Sequence, residues 1–148
     1  MPKLEKNIDL FNVILNIQMI KNELNAVAQF HEAFGIESAD QPTISITQQT
    51  ILLRHNLMKE ENEEYLEAAQ NNDMVEVADA LGDMLYILCG TILSHGMQHK
   101  ITEVFNEIQH SNMSKLGTDG KPIYREDGKV LKGPNYFKPR IAEILNKN

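Results

Sequence analysis

Residues 84–93 form a segment that is apolar around nearly its whole helical circumference and contains no charged side chain. An α-helix that is apolar on every side must be covered by other elements, as in the core of a helical bundle. Asp83 directly precedes this segment, and Asp79 and Glu76 share its helical face at about 100° per residue. An ionised carboxylate at the edge of a buried helix is costly unless it is paired or bound to a cation. The sequence therefore predicts a buried helix whose acidic edge needs positive charge.

A second acidic cluster precedes this helix, and its members Glu60, Glu61 and Glu64 fall within roughly a quarter turn of helix. Two antiparallel helices would then aim five or six carboxylates at one point. No Cys or His stands at matching spacing, and carboxylate oxygens suit Mg²⁺, with Mn²⁺ as a substitute, rather than Zn²⁺. We therefore predict a magnesium site. Its candidate ligands are Glu60, Glu64, Asp79, Asp83 and Glu76.

The composition is that of an ordinary globular protein, with 42% hydrophobic and 24% charged residues among 148. The only cysteine, Cys89, lies within the apolar helix, which argues against a disulfide framework and fits a reducing compartment. We see no apolar run near the length of about 20 residues that a membrane span needs. A net charge of −7 disfavours nucleic-acid binding. We expect a cytoplasmic protein that binds neither membrane nor nucleic acid.

Stretches with apolar side chains at helical spacing predict four helices. They are expected at about residues 8–34, from residue 45 or 47 to 70, 74–95 and 100–116. The short connection at residues 71–73 makes the second and third helices antiparallel neighbours. After Gly117, turn signals favour a small β-hairpin around residues 126–128, and Pro139 can open a short last helix.

The predicted fold is therefore all-α. A single domain of residues 1–148 would contain an antiparallel four-helix bundle core (1–116) and a loop-rich, basic carboxy-terminal flap (117–148). The first and third helices are apolar over wider arcs than a lone bundle of this size covers, so we expect a homodimer or a dimer of dimers.

Residues 115–140 contain seven basic and three acidic side chains, against the acidic balance of the rest of the chain. A basic flap and an acidic helical body suit a metal–polyphosphate ligand held between them, although solubility alone would also account for the basic residues. The candidate substrate-binding residues are Asn112, Lys115, Lys132, Tyr136 and Arg140.

The motifs match a known pattern. The acidic residues read Glu60-Glu61-x-x-Glu64, then Glu76-x-x-Asp79-x-x-x-Asp83-Met84-Leu85-Tyr86. The carboxy-terminal part of the chain adds Asn112-Met113-Ser114-Lys115, Asp127-Gly128-Lys129 and Lys132-Gly133-Pro134-Asn135-Tyr136. Over roughly residues 25–140 the chain resembles the all-α nucleoside triphosphate pyrophosphohydrolases, the MazG-like group that includes phosphoribosyl-ATP pyrophosphohydrolase and dimeric dUTPase.

The resemblance implies hydrolysis of a ribo- or deoxynucleoside triphosphate between the α and β phosphates, with Mg²⁺ held by carboxylates. The family pattern has an acid three residues before the Asp that precedes the apolar run, and here that residue is Ala80. Which two of Glu76, Asp79 and Asp83 bind the ion therefore stays open, with Asp79 and Asp83 as first choices. Glu61 is angled off the line of Glu60 and Glu64, so it is the candidate general base.

Two alternatives remain at this point. One is hydrolysis of phosphoribosyl-ATP, although the long basic tail is unlike the compact forms of that enzyme. The other is a non-enzymatic helical scaffold whose acidic face binds a basic partner or a structural cation. The scaffold predicts that loss of the carboxylates changes partner binding without abolishing any hydrolysis.

Overall fold

The computed structural model describes residues 20–147. In chain order the helices of this part are α1 (Lys21–Phe34), α2 (Gln48–Gln70), α3 (Met74–Ser94), α4 (Ile101–Met113) and α5 (Ile141–Leu145). The predicted all-α class is confirmed. Residues 8–19, which belong to the first predicted helix, lie outside the described residues. Within residues 20–147, β-structure is limited to one antiparallel bridge between Tyr124 and Val130, at the predicted hairpin.

Local side chains explain where the helices begin and end. Thr47 caps α2, because its Oγ1 accepts a hydrogen bond from the Thr50 amide at 3.1 Å. Asp73 caps α3, where its Oδ1 accepts from the amides of Val75 and Glu76 at 3.1 and 3.2 Å. Gly35 ends α1 in the left-handed conformation, with φ of 67°, which glycine adopts without steric cost. These ends agree with the sequence predictions.

The described residues divide into two compact units, 20–99 and 100–147. In the first unit, α3 packs against both α1 and α2. The short connection at residues 71–73 makes α2 and α3 antiparallel, as predicted. The buried apolar side chains of this unit are Leu24, Val27, Ala68, Ala80, Cys89, Ile92 and Leu93. Full burial of a side chain such as Leu24 stabilises the fold by about 1.5–3 kcal/mol.

The amino-terminal half of α3 departs from the prediction of a helix buried on every side. Leu81, Leu85 and Leu88 are 50%, 44% and 44% exposed, and Asp83 is exposed as well. The prediction that Asp83 lies at a buried edge is therefore wrong for the single chain. The physical reason is that α1 and α2 cover one side of α3 and leave this apolar stripe open. The predicted homodimer stays a prediction.

The second unit contains α4 together with the residues that follow it, 114–147, which are called the tail below. The Ser111 hydroxyl donates to the Phe137 carbonyl at 2.8 Å, and the Gly133 amide donates to the Lys115 carbonyl at 2.8 Å. These bonds associate α4 with the tail, so the boundary between the units precedes Ile101. The predicted single domain, with a core of residues 1–116 and a flap of residues 117–148, stays a prediction.

Helix α3 is the one helix within residues 20–147 that is long and apolar enough, by length and composition, to cross a membrane. Its mean hydropathy over the relevant window is 1.4. We expected no such segment from the sequence. A core helix of a soluble protein satisfies the same criterion, and α3 packs against α1 and α2. Length and composition are thus only a weak indication of a span.

Candidate functional site

Carboxylates from two helices surround Glu61, which lies in the middle of α2. Burial raises the pKa of the Glu61 carboxyl, and the negative charges of Glu64, Asp83, Glu60 and Asp79 raise it further, in that order. The five residues Glu60, Glu61, Glu64, Asp79 and Asp83 are called the acidic face below. The sequence predicted five or six carboxylates aimed at one point as a metal site, and that site stays a prediction.

Glu61 differs from the other members of the acidic face in its accessibility. The other four are exposed, whereas Glu61 is half-buried and its Oε2 atom is shielded from solvent. This oxygen has no hydrogen-bond partner among the described residues. An unsatisfied, shielded carboxylate oxygen costs free energy, so it is suited to contact a cation or a water molecule brought by a ligand.

The donor chemistry of the acidic face fits Mg²⁺ or Mn²⁺, because it offers only carboxylate oxygens. Within residues 20–147, no three Asp, Glu, His or Cys side chains are close enough to hold one ion in common. Like charges on exposed, flexible side chains repel and move apart. Joint coordination of an ion would therefore require some of these carboxylates to rotate toward each other.

Glu76 lies apart from this group. It belongs to the first turn of α3, where its amide donates to Asp73, and it does not contribute to the raised pKa of Glu61. With Glu64 it lines a pocket of about 370 Å³ at the connection between α2 and α3. Of the predicted metal ligands, Glu76 is therefore the one that the structure does not associate with Glu61.

The predicted substrate-binding residues lie in the second unit, and several contact one another. Lys115 Nζ donates to Asn112 Oδ1 at 2.8 Å, and Lys132 Nζ lies 4.5 Å from the centre of the Tyr136 ring. Arg140 contacts Glu107, through its amide at 2.8 Å and through Nε at 3.6 Å. These contacts hold the cations in place, and their role in substrate binding stays a prediction.

A buried arginine, Arg54, lies near His31 in the first unit, and the sequence did not predict it. His31 is 2% and Arg54 9% exposed, and His31 Nδ1 contacts Ser38 Oγ at 2.8 Å. A Cβ added at Gly90 would overlap Arg54 Nη1 and lie 3.0 Å from His31 Nε2. The sequence signal was Gly90, since a glycine inside an apolar helix often marks a close approach of another group.

Two relatives share part of this sequence. The chain is 33% identical over 85 residues to the uncharacterised protein L479 of Acanthamoeba polyphaga mimivirus, covering 51% of this chain and 32% of that protein. It thus spans about a third of the length of this curated relative. A crystal structure of a proposed NTP pyrophosphohydrolase from Exiguobacterium sp. 255-15 is 26% identical, with 84% of this chain and 94% of that chain covered and a TM-score of 0.47.

Residues 27–112 match the sequence profile of phosphoribosyl-ATP pyrophosphohydrolase. The match spans more than half of the chain and includes α2, α3 and every member of the acidic face. The resemblance inferred from the acidic motifs is confirmed. The chain therefore belongs to the phosphoribosyl-ATP pyrophosphohydrolase family.

Proposed function

We propose that this protein hydrolyses a nucleoside triphosphate between the α and β phosphates and releases a nucleoside monophosphate and pyrophosphate. The observation that carries the proposal is the crowding of Glu60, Glu64, Asp79 and Asp83 around Glu61, inside the region that matches the family. Crowded carboxylates without positive partners oppose folding, so their presence favours a role in binding a cationic or metal-associated ligand.

Glu60, Glu64, Asp79 and Asp83 are the residues that would hold Mg²⁺, and Glu76, which lies apart from them in the first turn of α3, is a further candidate. When bound, the ion would neutralise negative charge on the polyphosphate. The shielded Oε2 of Glu61 supports the fit, because it is an oxygen donor that lacks a partner among the described residues.

Glu61 is proposed to accept a proton from the attacking water, as a general base. It is flanked on α2 by Glu60 and Glu64 and is less exposed than either. The half-buried position limits the orientations of its carboxylate, which favours a defined approach of the water. The water oxygen forms a bond to the α or the β phosphorus while the bond from that phosphorus to the bridging oxygen breaks, so the products are the nucleoside monophosphate and pyrophosphate.

A second candidate substrate is phosphoribosyl-ATP, and the family match favours it directly. This compound also carries a triphosphate, so the same carboxylates would act on the same bond. The two candidates differ in the group attached to the base and not in the bond that is broken.

The test is incubation with Mg²⁺ and a panel of ribo- and deoxynucleoside triphosphates, with phosphoribosyl-ATP as a separate arm. We expect monophosphate plus pyrophosphate, lost in Asp83→Ala. Glu63→Gln is the matched control, because Glu63 is exposed and pairs with Lys59 at 3.6 Å. Turnover of phosphoribosyl-ATP alone would select the second substrate. Diphosphate plus phosphate, or no turnover of any compound with Mg²⁺ or Mn²⁺, would contradict the proposal.

A further inference from the structure

A second pocket, of about 190 Å³, lies at the amino-terminal end of α2. Its lining includes six hydroxyl side chains, and we call it the hydroxyl pocket. They are Ser38, Thr43, Ser45, Thr47, Thr50 and Ser94. At 1.5 Å per residue, Thr47 and Glu61 are separated by roughly 20 Å along α2, so the pocket is distinct from the acidic face.

The pocket is formed where the loop between α1 and α2 packs on the end of α3. The Thr43 amide donates to the His95 carbonyl at 2.9 Å, and His95 Nδ1 contacts the Thr43 carbonyl at 2.9 Å. The Gln98 side chain donates to the Ala39 carbonyl at 2.8 Å. These bonds between distant residues give the pocket a defined wall rather than a free loop.

Ser94 supplies an unsatisfied group inside this pocket. It is 3% exposed, and its Oγ has no hydrogen-bond partner among the described residues. Other hydroxyls of the lining are already engaged: Ser38 contacts His31, and Thr43 Oγ1 accepts from the Ser45 amide at 2.9 Å. A buried hydroxyl without a partner is unfavourable unless a ligand or water satisfies it.

The start of α2 adds positive potential on the same side. The helix is 23 residues long and has no acidic residue in its first turn, so its own side chains do not neutralise the positive end of its dipole. Thr47 caps the Thr50 amide, which leaves the amides of Gln48 and Gln49, beside the pocket and outside its lining, as donors. Amides at a helix amino terminus are suited to bind anions.

A buried cation lies one helical turn beneath the pocket. Arg54 follows Thr50 by four residues on α2, and Ser94 follows Gly90 by four residues on the antiparallel α3. Arg54 lies against Gly90, so both residues are one helical turn deeper than Thr50 and Ser94. This separation is about 6 Å along the helix axes. Arg54 has no ion-pair partner within residues 20–147, and burial lowers the pKa of its guanidinium.

We propose that the hydroxyl pocket binds a small tetrahedral oxyanion of the phosphate class. Ser94 Oγ and the first-turn amides of α2 would donate hydrogen bonds to it, and Arg54 would offset its charge. The charged residue of the lining is Glu37, which is exposed. Its carboxylate would repel an anion, so Glu37→Gln should strengthen binding.

The experiment measures binding of inorganic phosphate and, separately, of pyrophosphate in buffer with EDTA and matched ionic strength. Titration calorimetry and amide chemical shifts of the isotope-labelled protein report affinity and location. We expect saturable binding of at least one of the two anions, with shifts at Gln48, Gln49 and Ser94. Tighter binding of phosphate would identify free phosphate as the ligand. Tighter binding of pyrophosphate would identify the product of the proposed reaction. Absence of saturable binding in both arms overturns the proposal.

Two variants test the proposed roles of Ser94 and Arg54 in anion binding. Ser94→Ala should weaken binding about fivefold to tenfold, the range expected for one lost hydrogen bond, and should raise the melting temperature of the ligand-free protein. Arg54→Met should weaken binding by about tenfold or more, while its apolar side chain of similar volume preserves packing. Unchanged affinity in both variants would overturn the assignment.

The controls separate this site from the acidic face and from general effects on α3. Thr91→Val removes a hydroxyl that donates to the Ile87 carbonyl at 2.9 Å within the helix, and it should bind the anion like the wild type. Asp83→Asn should also leave the affinity unchanged, because Asp83 is roughly 16 Å from Ser94 along α3. Weaker binding in Asp83→Asn would contradict the proposal, because loss of a negative charge at the acidic face should not weaken an anion that is bound at the other end of α2.

Discussion

The acidic face and the carboxy-terminal tail both carry many charges, but their charges are compensated differently. Burial first, and then four neighbouring carboxylates, raise the pKa of Glu61, and no cation among the described residues contributes. In the tail, a hydrogen bond from the Arg125 side chain lowers the pKa of Asp127. The amide of Arg140 likewise lowers the pKa of Glu107, with a smaller contribution from its charge.

The difference indicates which charges serve structure and which are available for chemistry. A carboxylate that has acquired a basic partner or an amide donor is stabilised in its charged form and orders the local chain. A carboxylate crowded by others is unstable alone and gains from an added cation. Perturbed carboxylates of the second kind cluster at functional sites. The acidic face is therefore the candidate reaction centre, and the pairs in the tail are primarily structural.

The largest expected effect is on turnover at the acidic face. Glu61→Gln should lower kcat by about 10²–10⁴-fold, because it removes the proposed proton acceptor while preserving the shape of the side chain. Steady-state kinetics with the preferred substrate measure the effect, and Glu63→Gln provides the control. Full turnover in Glu61→Gln would end the proposed role of Glu61 as the base.

A smaller effect, on stability, is expected at Gly133 in the tail. A Cβ there would overlap the Leu116 carbonyl oxygen and lie 2.7 Å from the Lys115 carbonyl oxygen. Because backbone atoms cannot easily move away, Gly133→Ala should lower the free energy of unfolding by about 1–3 kcal/mol. Urea denaturation measures it. Gly82→Ala in α3 is the contrast, since open space surrounds that position and no loss is expected.

Two cations of the tail, Lys115 and Arg140, should differ in their effect on substrate binding. Lys115 Nζ contacts the neutral Asn112 amide and has no ion-pair partner within residues 20–147, whereas Arg140 is paired with Glu107. If Lys115 binds a phosphate oxygen, Lys115→Gln should raise KM about tenfold with little change in kcat. Arg140→Gln should raise KM less, because its charge is already partnered. Equal increases in KM would show that pairing within the tail does not limit substrate binding.

The smallest expected effect is the stability of the metal-free acidic face. Asp83→Asn removes one of the mutually repelling charges, so it should raise the free energy of unfolding by less than about 1 kcal/mol in low salt. The gain should shrink in about 1 M NaCl, where the screening length is about 3 Å. Glu76→Gln should give no such gain, because Glu76 lies in the first helical turn, where the dipole favours a negative charge. Equal gains in both variants would deny that repulsion is centred on Glu61.

The ends of the helices were predictable because they depend on nearby residues. Thr47, Asp73 and Gly35 act on residues within a few positions, and the helix ends that they cap agree with the predicted bounds. The carboxyl end of α4 was predicted at residue 116, which is three residues beyond Met113. After Met113 the chain continues in tight turns, and the carbonyl of Lys115 bonds instead to the distant Gly133 amide. Local periodicity carries no information on such a bond.

The acidic face was predictable in outline, since helical spacing placed its members on common faces of α2 and α3. The solvent exposure of its individual members was not predictable. Asp83 was expected at a buried edge and is exposed, whereas the oxygen that is shielded belongs to Glu61. Burial depends on which helices pack against each side of α3, and helical periodicity alone does not determine the packing partners.

The all-α class, the helix ends, the acidic spacing and the resemblance that the family match confirmed could be read from the chain, because each depends on residues close along the chain or on a linear motif. The packing of the helices, in contrast, places Arg54 against Gly90, leaves the Ser94 hydroxyl unsatisfied among the described residues, and bonds α4 to the tail. These relations depend on contacts between positions far apart in sequence. Their energies come from packing and desolvation, which arise only once the helices have come together.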